Sequence, residues 1–282
     1  MRVDVKGHAT FVATAGPRPE DAAAVVFLVH GAGMAASIWA AQLQALATGD
    51  RAVLAPTLPG HGAPGTSQAS DGPLATSIEA AADALVDLFD AFGVARAFVV
   101  GHSMGSLVAL ETARRHPERV RGLGLVGSGP KMPVHPALLD AARTVPSEAA
   151  EQILQWGFGR PQGERPPALS LTGVGRRLLL ASVPGVLATD LAACDAWQAG
   201  DLSGIGCPAL VVIGKADRMT PPKAGRALAA ALPAAETVEL EGAGHMMMVE
   251  RPRAVVLALR DWLNRASAWE SADGSPSSRP GP

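Results

Sequence analysis

The sequence has no tyrosine, only two cysteines and just 4% aromatic residues in its 282 positions. Cys194 and Cys207 form no CxxC pair and no metal-ligand spacing, so neither a disulfide framework nor a thiolate metal site is expected. They read as buried, reduced thiols. The missing tyrosine, beside abundant alanine and proline, reads as coding bias. No basic excess is present either: the formal net charge is −2. A nucleic-acid binder would usually carry a basic excess or stripe. Long apolar runs are also lacking. The longest, such as "AAAVVFLV", fall far below the roughly 18 residues needed to span a bilayer. The opening "MRVDVKGHATF" alternates like a strand and has no signal-peptide core. A soluble, cytoplasmic protein is the expectation. Oligomeric state is not legible.

What is present is ordinary globular material, 48% hydrophobic and 18% charged, enough for a sizeable core. Residues 1–14 read as a strand or hairpin with "GPRPED" as its turn. "AVVFLVH" (24–30), "RAVLAP" (51–56), "RAFVVG", "RGLGLVG" and "PALVVIG" (208–214) are short continuous apolar runs, the pattern of strands buried on both faces. "ETVEL" is a further strand. Between them lie helical stretches. In residues 77–92, Ser77 suits the N-cap, and Ile78, Ala82, Leu85, Leu88 and Phe89 share one face. Strands alternating with helices predict an α/β protein with a doubly wound, mostly parallel sheet. Residues 1–130 and 201–266 form this core. Residues 131–200 hold helical patches at 137–144, 147–156 and 174–182 and no convincing strand, so they read as a helical cap inserted after strand 6. Residues 267–282, rich in Ser, Gly and Pro, read as a disordered tail.

The chemistry-bearing stretch is "FVVGHSMGSLVAL". Gly101-His102-Ser103-Met104-Gly105 fits G-x-S-x-G with a strand before it and a helix after it, the arrangement of a nucleophile elbow. The sharp turn would expose the Ser103 oxygen beside the first N–H groups of a helix, which favour negative charge. A developing oxyanion could meet the Met104 N–H. Serine needs a base, and the base needs an orienting acid. Asp217 follows a strand-ending glycine in "VVIGKADRMTPP". Asp190, Asp195 and Asp201 have no preceding strand. Of seven histidines, only His245 follows Asp217, in the glycine-rich loop "ELEGAGHMMMVERP". His30 and His102, at strand ends, read as supports for backbone turns. His61 reads as structural, and no motif surrounds His8, His116 or His135. "LVHGAGM" offers a second oxyanion donor, Ala32 first, with Gly33 and Met34 possible.

"HGAG", "LPGHG", "GHSMG", "GKADRMTP" and "GAGHMMMVERP", in that order, resemble an α/β-hydrolase-fold protein from residue 1 to about 265. The resemblance implies Ser103 as nucleophile, Asp217 as acid and His245 as base, with no metal or organic cofactor. Two departures stand out: Thr57 where the family often has an acidic residue, and Ser106 where glycine is more frequent. The activity this implies is carboxylic ester hydrolysis through an acyl-enzyme. The cap is apolar and offers Trp156 and Phe158 as candidate substrate contacts, and Met246, beside the base, is a third. It shows no arginine cluster to demand a phosphate or dicarboxylate, so the expected partner is a small or medium apolar ester or lactone. Methionines near the base suggest an adaptable pocket. Using the same three residues, C–C bond hydrolysis, thioester hydrolysis and cofactor-free perhydrolysis are alternatives. A non-catalytic small-molecule receptor is a minor one.

Overall fold

A computed structural model describes residues 1–159, 173, 175–177 and 179–272 of the chain. Eight strands form one sheet in the order β1-β2-β4-β3-β5-β6-β7-β8. They are β1 (Arg2–Val5), β2 (His8–Ala15), β3 (Ala24–Val29), β4 (Arg51–Pro56), β5 (Ala97–His102), β6 (Val120–Val126), β7 (Ala209–Gly214) and β8 (Ala235–Leu240). The β1/β2 and β2/β4 pairs are antiparallel and every other pair is parallel. The first strands turn at Lys6-Gly7, both at positive φ, not at "GPRPED". That segment instead links β2 to β3, with a short 3-10 turn at Pro19–Asp21.

The continuous apolar runs are explained by two cores. In β3, Val25, Phe27 and Val29 face one cluster, while Ala24, Val26 and Leu28 face the other. Side chains alternate across a strand, so a strand covered on both sides has no polar positions to spare. The first face is covered by α2 (Ile78–Ala91), α3 (Met104–Arg115) and α7 (Pro222–Ala231). The second is covered by α1 (Ala40–Leu46) and α9 (Pro252–Ala272), through Leu43, Leu46, Leu259 and Trp262. As expected, Ser77 caps α2, its hydroxyl accepting from the Ala80 N–H at 3.2 Å. A short α8 (Met247–Glu250) precedes α9.

Between β6 and β7 lie α4 (Pro136–Thr144), α5 (Pro146–Gly157) and α6 (Val186–Ala196). The two ends of this excursion are paired, Lys131 bridging to Gln198 and the Ala199 N–H donating to the Pro130 carbonyl at 3.1 Å. Helix α6 is absent from the sequence reading for a physical reason. Leu187 and Leu191 enter one core while Ala193 and Cys194 enter the other, so no polar face marks its period. Its N-cap is Gly185 at φ 96°, with no capping side chain. At the other end of the chain, α9 continues to Ala272, so residues 267–272, expected to be disordered, are helical. The rest of that expected tail, 273–282, lies outside the described residues, as does most of the loop after Gly159. Among the described residues no helix is long and apolar enough to cross a membrane.

Candidate active site

Parallel strands deliver their C-terminal ends to one edge of the sheet, and ligands bind there at the point where strand order reverses. Here the chain leaves β3 for β4 on one side and returns to β5 on the other. The loop after β3 carries Ala32 and the turn after β5 carries Ser103. Both line one cleft of about 310 Å³, together with His245.

Ser103 sits at φ 52°, ψ −119°, a conformation costly for a residue with a Cβ. Its neighbours over-determine it. A side chain at Gly101 would fall on the Gly105 carbonyl, and one at Gly105 on the Val29 carbonyl. The Ser103 N–H donates to Val126 O at 3.0 Å. Ser106, the departure from glycine, is fully buried. Its hydroxyl donates to Gly101 O at 2.7 Å and accepts from the Val126 N–H at 3.2 Å. The helix start is thereby stitched to β5 and β6.

Asp217 follows β7 and His245 follows β8. Their buried side chains meet, with His245 Nδ1 2.9 Å from Asp217 Oδ2. Asp217 Oδ1 accepts the N–H groups of Met219 and Thr220 at 2.9 and 2.8 Å, and Oδ2 also accepts the Thr220 hydroxyl at 2.6 Å. Burial alone would raise the Asp217 carboxyl, but His245 and the Thr220 donors outweigh it and hold it below the usual value. An ionised carboxylate here accepts from His245, so the imidazole carries its proton on Nδ1 and leaves Nε2 as an acceptor.

Three supports of this arrangement escaped the sequence reading. Thr220 gave no signal beyond its place three residues after Asp217. Glu250 accepts the Gly159 and Gly244 N–H groups at 2.8 and 3.1 Å, tying the His245 loop to the end of α5. Burial raises its carboxyl against those two donors. Asp190, which lacks a preceding strand, comes from α6 to accept from the Gly33 N–H at 2.7 Å and His61 Nε2 at 2.8 Å. Burial would lower His61, but the charge and hydrogen bond of Asp190 outweigh it and raise the imidazole above its ordinary value.

His30 and His102 do hold backbone. His30 Nδ1 donates to Gly31 O at 2.9 Å and Nε2 accepts the Leu58 N–H at 3.0 Å. Burial, with His61 beside it, pushes its pKa down to about 3. His102 Nε2 donates to the His245 carbonyl at 3.0 Å. In the loop after β3, the Gly33 amide is taken by Asp190 and the Met34 amide by Gly31 O at 3.2 Å. Of the Ala32, Gly33 and Met34 amides, that of Ala32 alone has no acceptor among the described residues.

A family model described as the alpha/beta hydrolase family matches residues 25–259. The chain belongs to this family. Over 264 residues this hydrolase is 33% identical to the pimeloyl-[acyl-carrier protein] methyl ester esterase of Chromobacterium violaceum, with 90% of this chain and 97% of that protein covered. It is similar to the enol-lactonase of Burkholderia xenovorans LB400 (29% identity, TM-score 0.83, 94% of this chain and 100% of that chain). A thermophilic esterase has 30% identity and a TM-score of 0.79, covering 94% of this chain and 97% of its own.

The cleft of this hydrolase corrects two expected contacts. Trp156 lines it, but Phe158 and Met246 are each 2% exposed and packed in the second core. The Met246 N–H donates to Gly157 O at 3.0 Å, which ties the chain after His245 to the end of α5. Met132 and Met219 line the cleft instead, as do Leu138, Leu191 and the exposed Arg218. No group of side chains suited to a metal occurs among the described residues. A larger cleft of about 370 Å³ lies between the β1–β2 hairpin and α2 and includes none of the Ser103, Asp217 or His245 side chains.

Proposed function

We propose that this chain is a carboxylic ester hydrolase in which Ser103 is the nucleophile, His245 the general base and Asp217 the orienting acid. One observation carries the reading. A strained serine and a histidine, whose Nδ1 is held by a buried carboxylate, open into the same cleft. The relatives' esterase and lactonase activities agree with it.

Ser103 Oγ attacks the ester carbonyl carbon as its proton passes to His245 Nε2. Asp217 accepts from Nδ1 and stabilises the imidazolium. The carbonyl oxygen becomes an oxyanion facing the Ala32 and Met104 N–H groups, fixed donors that need no reorganisation. Collapse expels the alcohol, which takes the proton from His245. Water, deprotonated by the same imidazole, then frees the acid and restores the serine. No step requires a metal or an organic cofactor.

The helices between β6 and β7 act as the cap. Their Leu138, Trp156 and Leu191 give the cleft an apolar wall. A volume of about 310 Å³ is at the small end of ligand pockets. It suits a short or medium apolar acyl ester, or a lactone. The test is an ester panel of varied acyl and alcohol length, run beside Ser103→Ala. Turnover should vanish in the variant and peak at a short or medium acyl chain. Wild-type-like turnover by Ser103→Ala refutes the assignment.

A further inference from the structure

Outside these three residues lies a second buried carboxylate–imidazole pair. Asp190 is 2% exposed and His61 3%. Asp190 Oδ2 accepts from both His61 Nε2 and the Gly33 amide, and His61 Nδ1 faces the Pro59 carbonyl at 3.0 Å. Both ring nitrogens of His61 meet acceptors, which an imidazolium satisfies with two donors. The pair is thus a buried carboxylate neutralised by a buried cation, with a backbone amide as the third partner. It spans two regions of the fold, since His61 comes from the β4–α2 loop and Asp190 from α6.

We propose that Asp190 and His61 are positioning residues of the oxyanion hole, holding the Gly33 amide so that the Ala32 N–H stays aimed into the cleft. The inference rests on the hydrolase reading above. Its basis is peptide geometry. In a trans peptide the C=O and N–H point in opposite directions. Ala32 is flanked by two such planes. In the first, Gly31 O accepts from His30 Nδ1 and the Met34 N–H, which turns the Ala32 N–H to the other side. In the second, the Gly33 N–H is drawn to Asp190 at 2.7 Å. Both planes are therefore pinned, and only the second is pinned by a charge.

Glycines on either side of Ala32 would otherwise leave the loop free to rotate. Packing closes around it as well. A side chain added at Gly31 would lie 2.9 Å from His102 Nδ1, and one at Gly33 2.9 Å from Leu187 Cδ1. Leu187 and Asp190 lie on α6, three residues apart and so on one face. Leu191 and Cys194, from that same helix, line the cleft. The helix that meets the substrate is the helix that sets the oxyanion donor.

The test compares full-length wild type, Asp190→Leu, Asp190→Asn and His61→Gln. Competent sites are counted with a fluorophosphonate. Turnover of p-nitrophenyl butyrate is measured per competent site, and so is the affinity for a trifluoromethyl ketone. That ketone adds Ser103 Oγ to its carbonyl carbon, passes the serine proton to His245 and leaves its oxygen as an anion in the hole. For Asp190→Leu, kcat per site should fall about 10- to 100-fold, the cost of a misplaced donor, with KM within about threefold. Ketone affinity should fall in the same proportion. Asp190→Asn keeps an acceptor for Gly33 and should recover most of the loss. His61→Gln, the fallback if Asp190→Leu does not fold, should lose about three- to tenfold in kcat at unchanged KM. Unchanged kcat per competent site in Asp190→Leu, or in His61→Gln where Asp190→Leu does not fold, overturns the inference, even if fewer sites are competent. A wild type that neither hydrolyses esters nor takes the label at Ser103 overturns the hydrolase reading and this inference with it. An active wild type with unaffected variants overturns the inference alone.

Discussion

Replacing Asp217 with Asn should abolish most activity without disturbing the fold, and the geometry says why. Asp217 Oδ1 accepts two backbone N–H groups, from Met219 and Thr220. An asparagine must put its carbonyl oxygen there, because its NH2 would face two donors. The NH2 is thereby forced into the Oδ2 position, toward Thr220 Oγ1 and His245 Nδ1. Both of its neighbours can adapt. The Thr220 hydroxyl becomes an acceptor, or turns its proton to His245 Nδ1 at 3.1 Å. Either way Nδ1 becomes an acceptor and the imidazole proton moves to Nε2, so the base can no longer take the Ser103 proton. The same tautomer error in a serine protease costs about 10⁴ in kcat, or about 5 kcal/mol of barrier. The assay is p-nitrophenyl butyrate turnover at pH 7 to 8, with thermal melting as the control for folding. A kcat within tenfold of wild type, in a protein that melts normally, refutes the role given to Asp217 and the tautomer argument together.

Other substitutions separate pocket from core. Trp156→Ala should raise KM and shift the preferred acyl length at little cost in stability, because Trp156 lines the cleft. Phe158→Ala should instead cost about 3–5 kcal/mol, read as a lower melting temperature, because Phe158 is buried in the second core. Gly101→Ala should yield no soluble folded protein in a circular-dichroism and solubility comparison, since its Cβ collides with the backbone of Gly105. His30, with a folded pKa of about 3, should make the protein sensitive to acid. The unfolded chain takes up a proton below about pH 6.5 and the folded site resists it, so stability falls between pH 6.5 and 3, by about 2 kcal/mol already at pH 5. His30→Gln, whose amide can both donate to Gly31 and accept from Leu58, should lose that part of the pH dependence in denaturant titrations at pH 7 and pH 5. Equal pH sensitivity in both proteins would remove His30 as the cause.

How much of this was legible in the sequence depends on the range of the interaction. Strands buried on both faces announce themselves as short apolar runs, because every position must be apolar, and β3, β4, β5 and β7 are entirely buried. A turn as tight as the one at Ser103 tolerates only glycine at Gly101 and Gly105, so it leaves a local motif. Order along the chain then singled out Asp217 and His245, which the fold brings within a hydrogen bond although 28 residues separate them. What stayed hidden depends on contacts between distant segments. Helix α6 has no polar face, because it is wedged between two cores, and so it has no period to read. Asp190 had no local mark of purpose, since its partners, His61 and Gly33, lie 129 and 157 residues away. Phe158 and Met246 looked like pocket residues by type and position, but apolar side chains suit a core and a cleft equally. The layered sheet and the order of Ser103, Asp217 and His245 can be read from the chain alone, because they rest on periodicity and local backbone sterics. Which apolar residues face the cleft, and which carboxylate reaches the loop after β3, emerge only from the folded chain, because both depend on how α5 and α6 pack against the strand ends.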